Sequence, residues 1–256
     1  MVSREISGIL DDAGKAGWVI EPEAKRLFPL AGLDTPRFRW ARSVREAVEF
    51  ADKTGYPVVA KIVSPEVVHK TEAGGVAVGL DSPRKIEEAF LRFSRIGGFS
   101  GMLVEETLSG VELIVGARVD FQFGPVVLLG IGGTGVEIYK DSAIRMAPLQ
   151  ERDVKSMVQG LKARRLLEGY RGKEPVNMAE LTRLLLAFSS LLMEMAPRIE
   201  SIDLNPVFAG PARVAIGDAR ALGELYHDLK ARRSCPAEKK SPFREDDPVR
   251  VADGRD

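Results

Sequence analysis

A chain of 256 residues, 45% hydrophobic and 29% charged, is long enough for one large domain or two lobes around a substantial core. Thirty-seven basic and thirty-seven acidic side chains cancel, so no overall field draws it to nucleic acid or to a membrane surface. The longest apolar run, LLLAFSSLLMEM, is too short to span a bilayer. The N-terminus lacks the apolar core of a signal peptide, and the single Cys235 excludes an internal disulfide, so the expectation is a cytoplasmic protein.

Helical spacing runs through Ile6 to Ala16 and Pro22 to Ala31. A clearer helix is SVREAVEFADKTG, where Ser43 can cap, Glu46 completes a capping box and Gly55 ends the run. YPVVAKIV is rich in β-branched residues and reads as a buried strand, GVAVGL as a second strand, and SPRKIEEAFLRFSRIG as a helix with proline at its first position. Strand patterns follow in GMLVEET, VELIVGARVD and PVVLLGIGG, and GVEIYKDSAIRMAPL suggests strand, turn, strand. Two long helices are predicted next, Glu151 to Glu168 and Asn177 to Met195. RIESIDLNPVFA and ARVAIGDARAL then form two strands joined by a Gly-Pro turn, before a short last helix. From about Arg233 apolar periodicity is lost, and disorder is expected. Alternation early and hairpins later predict an α+β protein of two lobes, divided near Glu105.

Gly130 to Gly135, GIGGTG, satisfies the dinucleotide fingerprint, which needs a helix directly afterwards. VEIYKD has no helical stripe, so a glycine-rich turn or a tight hairpin fits better. Lys61 is the one charge in its strand: it is either an edge-strand lysine reaching solvent or a lysine held on a nucleotide phosphate. Glu105, Glu106 and Glu112 flank a strand junction, where an acid could accept from ribose hydroxyls or simply face solvent. Asn205 and Asp218, thirteen residues apart on paired strands, could give two oxygen ligands to Mg²⁺, with Asp203 on the same strand face as Asn205; turn chemistry before Pro206 competes with that reading. His69 lies in SPEVVHKTEAGGV, and a free imidazole titrating near pH 6.5 can serve as nucleophile, base or cation. His227 reads as surface helix.

Together these segments resemble the ATP-grasp subunit of the ADP-forming acyl-CoA synthetases, relatives of succinyl-CoA synthetase. The likeness runs from about Glu21 to about Leu222. It rests on EAKRLFPLAGLDTP, GYPVVAKIVSPEVVHKTEAGGVAVGL, VEETLSGVELIVGARVDFQFGPVVLLGIGG, GVEIYKDSAIRMAPL, GYRG and IDLNPV. It implies an ATP-grasp fold with the nucleotide cleft between two α+β lobes. The implied division is 1–20 packing on the large lobe, 21–104 the small lobe, 105–232 the large lobe and 233–256 a disordered tail. The family reaction is acyl-CoA, ADP and phosphate to acid, CoA and ATP.

By that likeness His69 carries a phosphoryl group, Lys61 touches the nucleotide phosphates, Glu105 lies at the adenosine end and Glu112 sits nearby. Asn205 and Asp218 hold Mg²⁺, Glu137 faces the incoming phosphohistidine loop, Arg145 neutralises phosphoryl charge, and Lys70 and Glu72 order the loop. The implied ligands are ATP or ADP and Mg²⁺, with CoA on a partner. No CoA-binding domain is evident, so the likeness implies a CoA-binding alpha subunit with the first phosphohistidine, a heterotetramer by analogy, and a small-molecule acyl substrate. An ATP-grasp carboxylate–amine ligase, or a nucleotide sensor without catalysis, are the alternative readings; the first needs no histidine carrier.

Overall fold

The computed structural model describes residues 6, 8, 9, 11, 18–67, 69–133, 141–196 and 198–222. Glu137, His227, Cys235 and the predicted tail lie outside the described residues. In chain order the elements are β1 (Trp18–Val19), α1 (Glu21–Leu30), β2 (Phe38–Ala41), α2 (Val44–Thr54), β3 (Val58–Val63), β4 (Val76–Leu80) and α3 (Pro83–Phe93). Then come β5 (Gly101–Glu106), β6 (Val111–Asp120), β7 (Gly124–Ile131), β8 (Ser142–Met146), α4 (Glu151–Gly160) and α5 (Met178–Met195). The last strands are β9 (Ser201–Ala209), β10 (Val214–Ile216) and β11 (Ala219–Leu222).

Two antiparallel sheets result. The smaller has the order β2-β5-β3-β4, and the larger runs β1-β11-β9-β6-β7-β8 with β10 also on β9. In the smaller sheet α2 and α3 bury Ala47, Ala51, Ile86, Ala89 and Phe93 against Ala60, Ile62, Met102 and Val104. Because strand side chains alternate in direction, Lys61 and Glu105 fall on the opposite face. In the larger sheet α1, α4 and α5 cover one face, with Phe28, Met157, Phe188 and Leu192 packed on Val115, Leu129 and Leu204. The architecture is the expected mixed α and β structure built on two sheets. β7 pairs antiparallel on both sides, so GIGGTG does not belong to the parallel unit a dinucleotide fingerprint requires.

Local chemistry accounts for most boundaries. Ser43 accepts from the Glu46 N–H at 3.3 Å, while the Glu46 carboxylate reaches back one residue further than a capping box, to the Arg42 N–H at 2.9 Å. Asn177 caps α5 by accepting from the Glu180 N–H at 3.2 Å. The helix expected over Glu151 to Glu168 stops at Gly160. Asp141 explains the stop: its carboxylate accepts from the backbone N–H groups of Lys162 and Ala163 at 2.7 and 2.8 Å, which turns the chain out of the helix. The expected lobe limits also shift. Ala24, Leu27 and Phe28 of α1 pack into the core of the larger sheet, so the helix placed in the 21–104 lobe sides with the other one. β5 extends to Glu106, and the chain crosses between sheets after it.

Candidate functional site

The cleft between the sheets holds a cluster of charges, buried at Glu21, Lys25, Lys61 and Glu105 and half-buried at Lys70 and Asp218. α1 contributes Glu21 and Lys25, β3 contributes Lys61, β5 contributes Glu105, and the connection from β10 to β11 contributes the Gly217 carbonyl and Asp218. Lys25, fully buried, donates to a Glu105 oxygen and, at 2.8 Å, to the Gly217 carbonyl, with Glu21 at 3.1 Å. Lys61 donates to the same carbonyl at 2.7 Å and lies 2.9 Å from Glu21 and 2.7 Å from Glu105. Lys70, directly after His69, reaches Glu21 at 2.5 Å and the two Asp218 oxygens at 3.0 and 3.2 Å. Three ammonium groups therefore face three carboxylates.

Strand chemistry explains the carbonyl at its centre. The two register segments of the β9 hairpin leave Gly217 and Asp218 opposite Pro206 and Asn205. The Gly217 N–H donates to the Pro206 carbonyl at 2.8 Å, but Pro206 has no N–H to return. The Gly217 carbonyl is thus left out of the ladder and serves the two lysines. Only glycine fits there, since a Cβ would stand 2.6 Å from the Phe208 ring. The strand expected over VAIGDAR is accordingly split in two.

Burial and pairing compete in this cage, and pairing prevails at three positions. Burial alone would raise the Glu21 carboxyl, yet Lys61, Lys70 and Lys25 hold it well below the usual carboxylate range. Burial disfavours the Lys61 ammonium, and Asp218, Glu21 and Glu105 together push it well above its ordinary value. Lys70 is raised against its own burial by Glu21 and Asp218. Asp218 moves the other way: burial, then crowding by Glu21, raises its carboxyl despite the lysines.

Lys61 is not on an edge, because β3 lies between β5 and β4; the solvent-reaching reading is removed. Glu105 is 3% exposed and both its oxygens are taken by lysines, so it does not present a free acceptor to a ribose. Glu106, next along, instead holds the two lobes at their crossing point, where Arg213 binds it at 2.6 Å and binds Asp34 at 2.5 Å. Glu112 is exposed and lines a separate cavity of about 400 Å³ with Gly132, Gly133, Tyr170 and Arg171. Arg145 is not brought to the cage. It shares the helix-covered side of β8 with Ala143, and its guanidinium donates to Ser156 of α4 at 2.6 Å. His69 is exposed at the head of a turn in which the Ala73 N–H donates to its carbonyl at 3.1 Å.

Asn205 and Asp218 are neighbours across the hairpin, the Asn205 N–H donating to the Asp218 carbonyl at 3.1 Å. Two oxygen-bearing side chains where the break between β10 and β11 faces the middle of β9 fit a Mg²⁺ that takes its remaining oxygens from phosphates and water. Among the described residues no group of three or more His, Cys, Asp or Glu side chains is placed to hold a metal ion. Sequence reasoning missed Glu21, Lys25 and Gly217. The signal for the first two was present: a Glu–Lys pair four apart on the face that also carries Ala24 and Phe28.

The chain belongs to the ATP-grasp domain family, whose model matches residues 12–222, and the two-sheet fold with a lysine-lined cleft agrees with that class. Within it, the protein is similar to the beta subunits of ADP-forming acetyl-CoA synthetases, acid–thiol ligases. Over 212 residues it is 39% identical to Acetate–CoA ligase [ADP-forming] I subunit beta of Pyrococcus furiosus, an alignment that covers 80% of this chain and 91% of that one. The structure of dinucleotide forming Acetyl-coenzyme A synthetase 1 of Ca. Korarchaeum cryptofilum with coenzyme A and Ca-AMPCP matches with a TM-score of 0.80 at 39% identity, covering 85% of this chain and 99% of that one. A second structure of that synthetase, with coenzyme A, Mg-AMPPCP and a phosphohistidine segment pointing towards the nucleotide binding site, matches with a TM-score of 0.75 at 37% identity over the same shares.

Proposed function

We propose that this chain is the nucleotide-binding subunit of an ADP-forming acyl-CoA synthetase, in which His69 relays a phosphoryl group between a partner's phosphohistidine and ADP. The observation that carries this reading is the tie from the histidine's own loop into the cleft. Lys70 adjoins exposed His69 and crosses the cleft to the larger-sheet side, at 2.5 Å to Glu21 and 3.0 Å to Asp218.

In the relay, a nitrogen of the His69 imidazole attacks the phosphorus on the partner's histidine: one N–P bond forms as the other breaks. A β-phosphate oxygen of ADP then attacks the same phosphorus, forming the new P–O bond and returning the imidazole electron pair to nitrogen. Lys61 meets the nucleotide phosphates, exchanging part of its carboxylate pairing for phosphate pairing. Lys25 stays beneath as fixed positive charge on the Gly217 carbonyl. Asn205 and Asp218 hold Mg²⁺, which supplies charge neutralisation to the phosphates when bound. Glu112, on its glycine-bounded cavity, would lie near the nucleotide. The partner implied by the beta-subunit relatives is a CoA-binding subunit that also receives the acyl substrate.

Reconstitution with that partner tests the reading. With acetyl-CoA, ADP, phosphate and Mg²⁺, the pair should form ATP, and His69→Ala should lower the rate at least a thousandfold with ADP binding intact, on the order of losing a catalytic nucleophile. Undiminished ATP formation by the variant would refute the relay.

A further inference from the structure

Lys70 differs from the two lysines beneath it in where its backbone is held. Its carbonyl accepts from the Gly75 N–H at 2.7 Å, and the Gly75 carbonyl accepts from the Ile62 N–H at 2.8 Å, so the foot of the histidine loop is stapled to β3 beside Lys61. Gly75 is required for so close an approach, because a Cβ there would collide with the Ile62 side chain. From that foot the Lys70 side chain crosses the cleft. Its partners, Glu21 and Asp218, belong to elements of the larger sheet, while residues 71–74 and His69 face solvent.

We propose that Lys70 is a positioning residue that docks the His69 loop on Asp218, and that the docked loop and a divalent cation compete for this carboxylate. The inference rests on the assignment of Asp218 as a metal ligand and His69 as the carrier. Both Asp218 oxygens face one ammonium. A divalent ion bound there both takes its acceptor oxygens and repels its charge. Lys70 then keeps Glu21 alone, so the loop is loosened at one of two anchors. By linkage the effect is reciprocal: metal loosens the loop, and a docked loop weakens the metal, by one common factor. His69 is thus held over the cleft in the metal-free protein and is freed to travel once a metal nucleotide is in place, when delivery of a phosphoryl group becomes useful. Lys25 and Lys61 cannot act this way, since both are also fixed to the Gly217 carbonyl.

The test uses the full-length chain with Mn²⁺ and ADP, Mn²⁺ affinity being read by electron paramagnetic resonance. Lys70→Met should tighten Mn²⁺ binding on the order of tenfold, within the usual range of coupling between sites, and Lys70→Arg should return it to the wild-type value. Hydrogen exchange of residues 69–75 should rise when Mn²⁺ and ADP bind to the wild type, and should already be high and unresponsive in Lys70→Met. Unchanged or weaker Mn²⁺ affinity in Lys70→Met, or loop exchange that falls on metal binding in the wild type, would overturn the competition. Neither readout requires phosphoryl transfer. A His69 that takes no phosphoryl group would therefore defeat the relay while leaving these two results to decide the docking separately.

Discussion

The charged cage and the histidine loop meet at Lys70, yet they are built on opposite principles. In the cage, Lys25 is fully buried and Glu21, Glu105 and Lys61 are at most 7% exposed, with every ammonium answered by a carboxylate or the Gly217 carbonyl. In the loop, His69 and residues 71–74 are exposed, and the backbone turns through Gly74 at φ 67° and the closely packed Gly75. A buried charge network tolerates no loss of a member, because the remaining charge stays in the interior without its partner. An exposed turn tolerates substitution and movement. The difference separates a fixed electrostatic floor from a part that can travel.

Breaking the floor should cost most. Lys25→Met strands Glu105 and the Gly217 carbonyl, with an expected loss of about 3–5 kcal/mol and a melting temperature lower by roughly 10 °C, read by calorimetry. Glu21→Gln should cost less, about 2–3 kcal/mol at neutral pH, since the side-chain amide still accepts from one lysine. The pH dependence of that difference has a definite sign. Glu21 is held below its ordinary value, so its contribution is complete above about pH 4.3 and fades as the pH falls through the depressed value. Lys61 and Lys70 are raised, so their contributions are complete below about pH 10.4 and fade only above it. The stability difference between wild type and Glu21→Gln should thus shrink in acid as the pH falls through the depressed Glu21 value. Gly217→Ala forces a methyl group onto the Phe208 ring and should cost about 1–3 kcal/mol, with the carbonyl displaced from both lysines. Arg145→Ala, which among the described residues removes a hydrogen bond to Ser156 and one to the Ile144 carbonyl, should cost about 0.5–1.5 kcal/mol and leave phosphoryl acceptance within about twofold of wild type. A large loss of acceptance there would restore Arg145 to the cleft.

Residues with a one-dimensional signature were legible. Lys61 stood out as a lone charge in a β-branched strand, and the alternation of β3 put it on the face opposite Ala60 and Ile62. The hairpin carrying Asn205 and Asp218 was legible from its turn and its strand patterns, and the ATP-grasp fold from its motifs. What the chain order concealed was joint placement. Lys25 and Glu105 are eighty positions apart, and only the docking of α1 across the cleft makes them a pair. Glu105 looked like a hinge acid open to solvent because the burial of its face depends on that same helix. Arg145 looked available for phosphoryl charge because a short strand pattern does not say which face α4 covers. The Gly217 carbonyl needed two facts at once: a proline without an N–H on one strand, and a glycine opposite it on the other.

The most direct measurement is intact-mass and phosphopeptide analysis of the full-length chain after incubation with Mg-ATP, under alkaline conditions that preserve phosphohistidine, with the partner subunit present in a parallel sample. An acid-labile phosphoryl group on His69, absent from His69→Ala, is the predicted result. A chain that binds ATP and remains unlabelled at His69, with the partner present as well as without it, would contradict the relay.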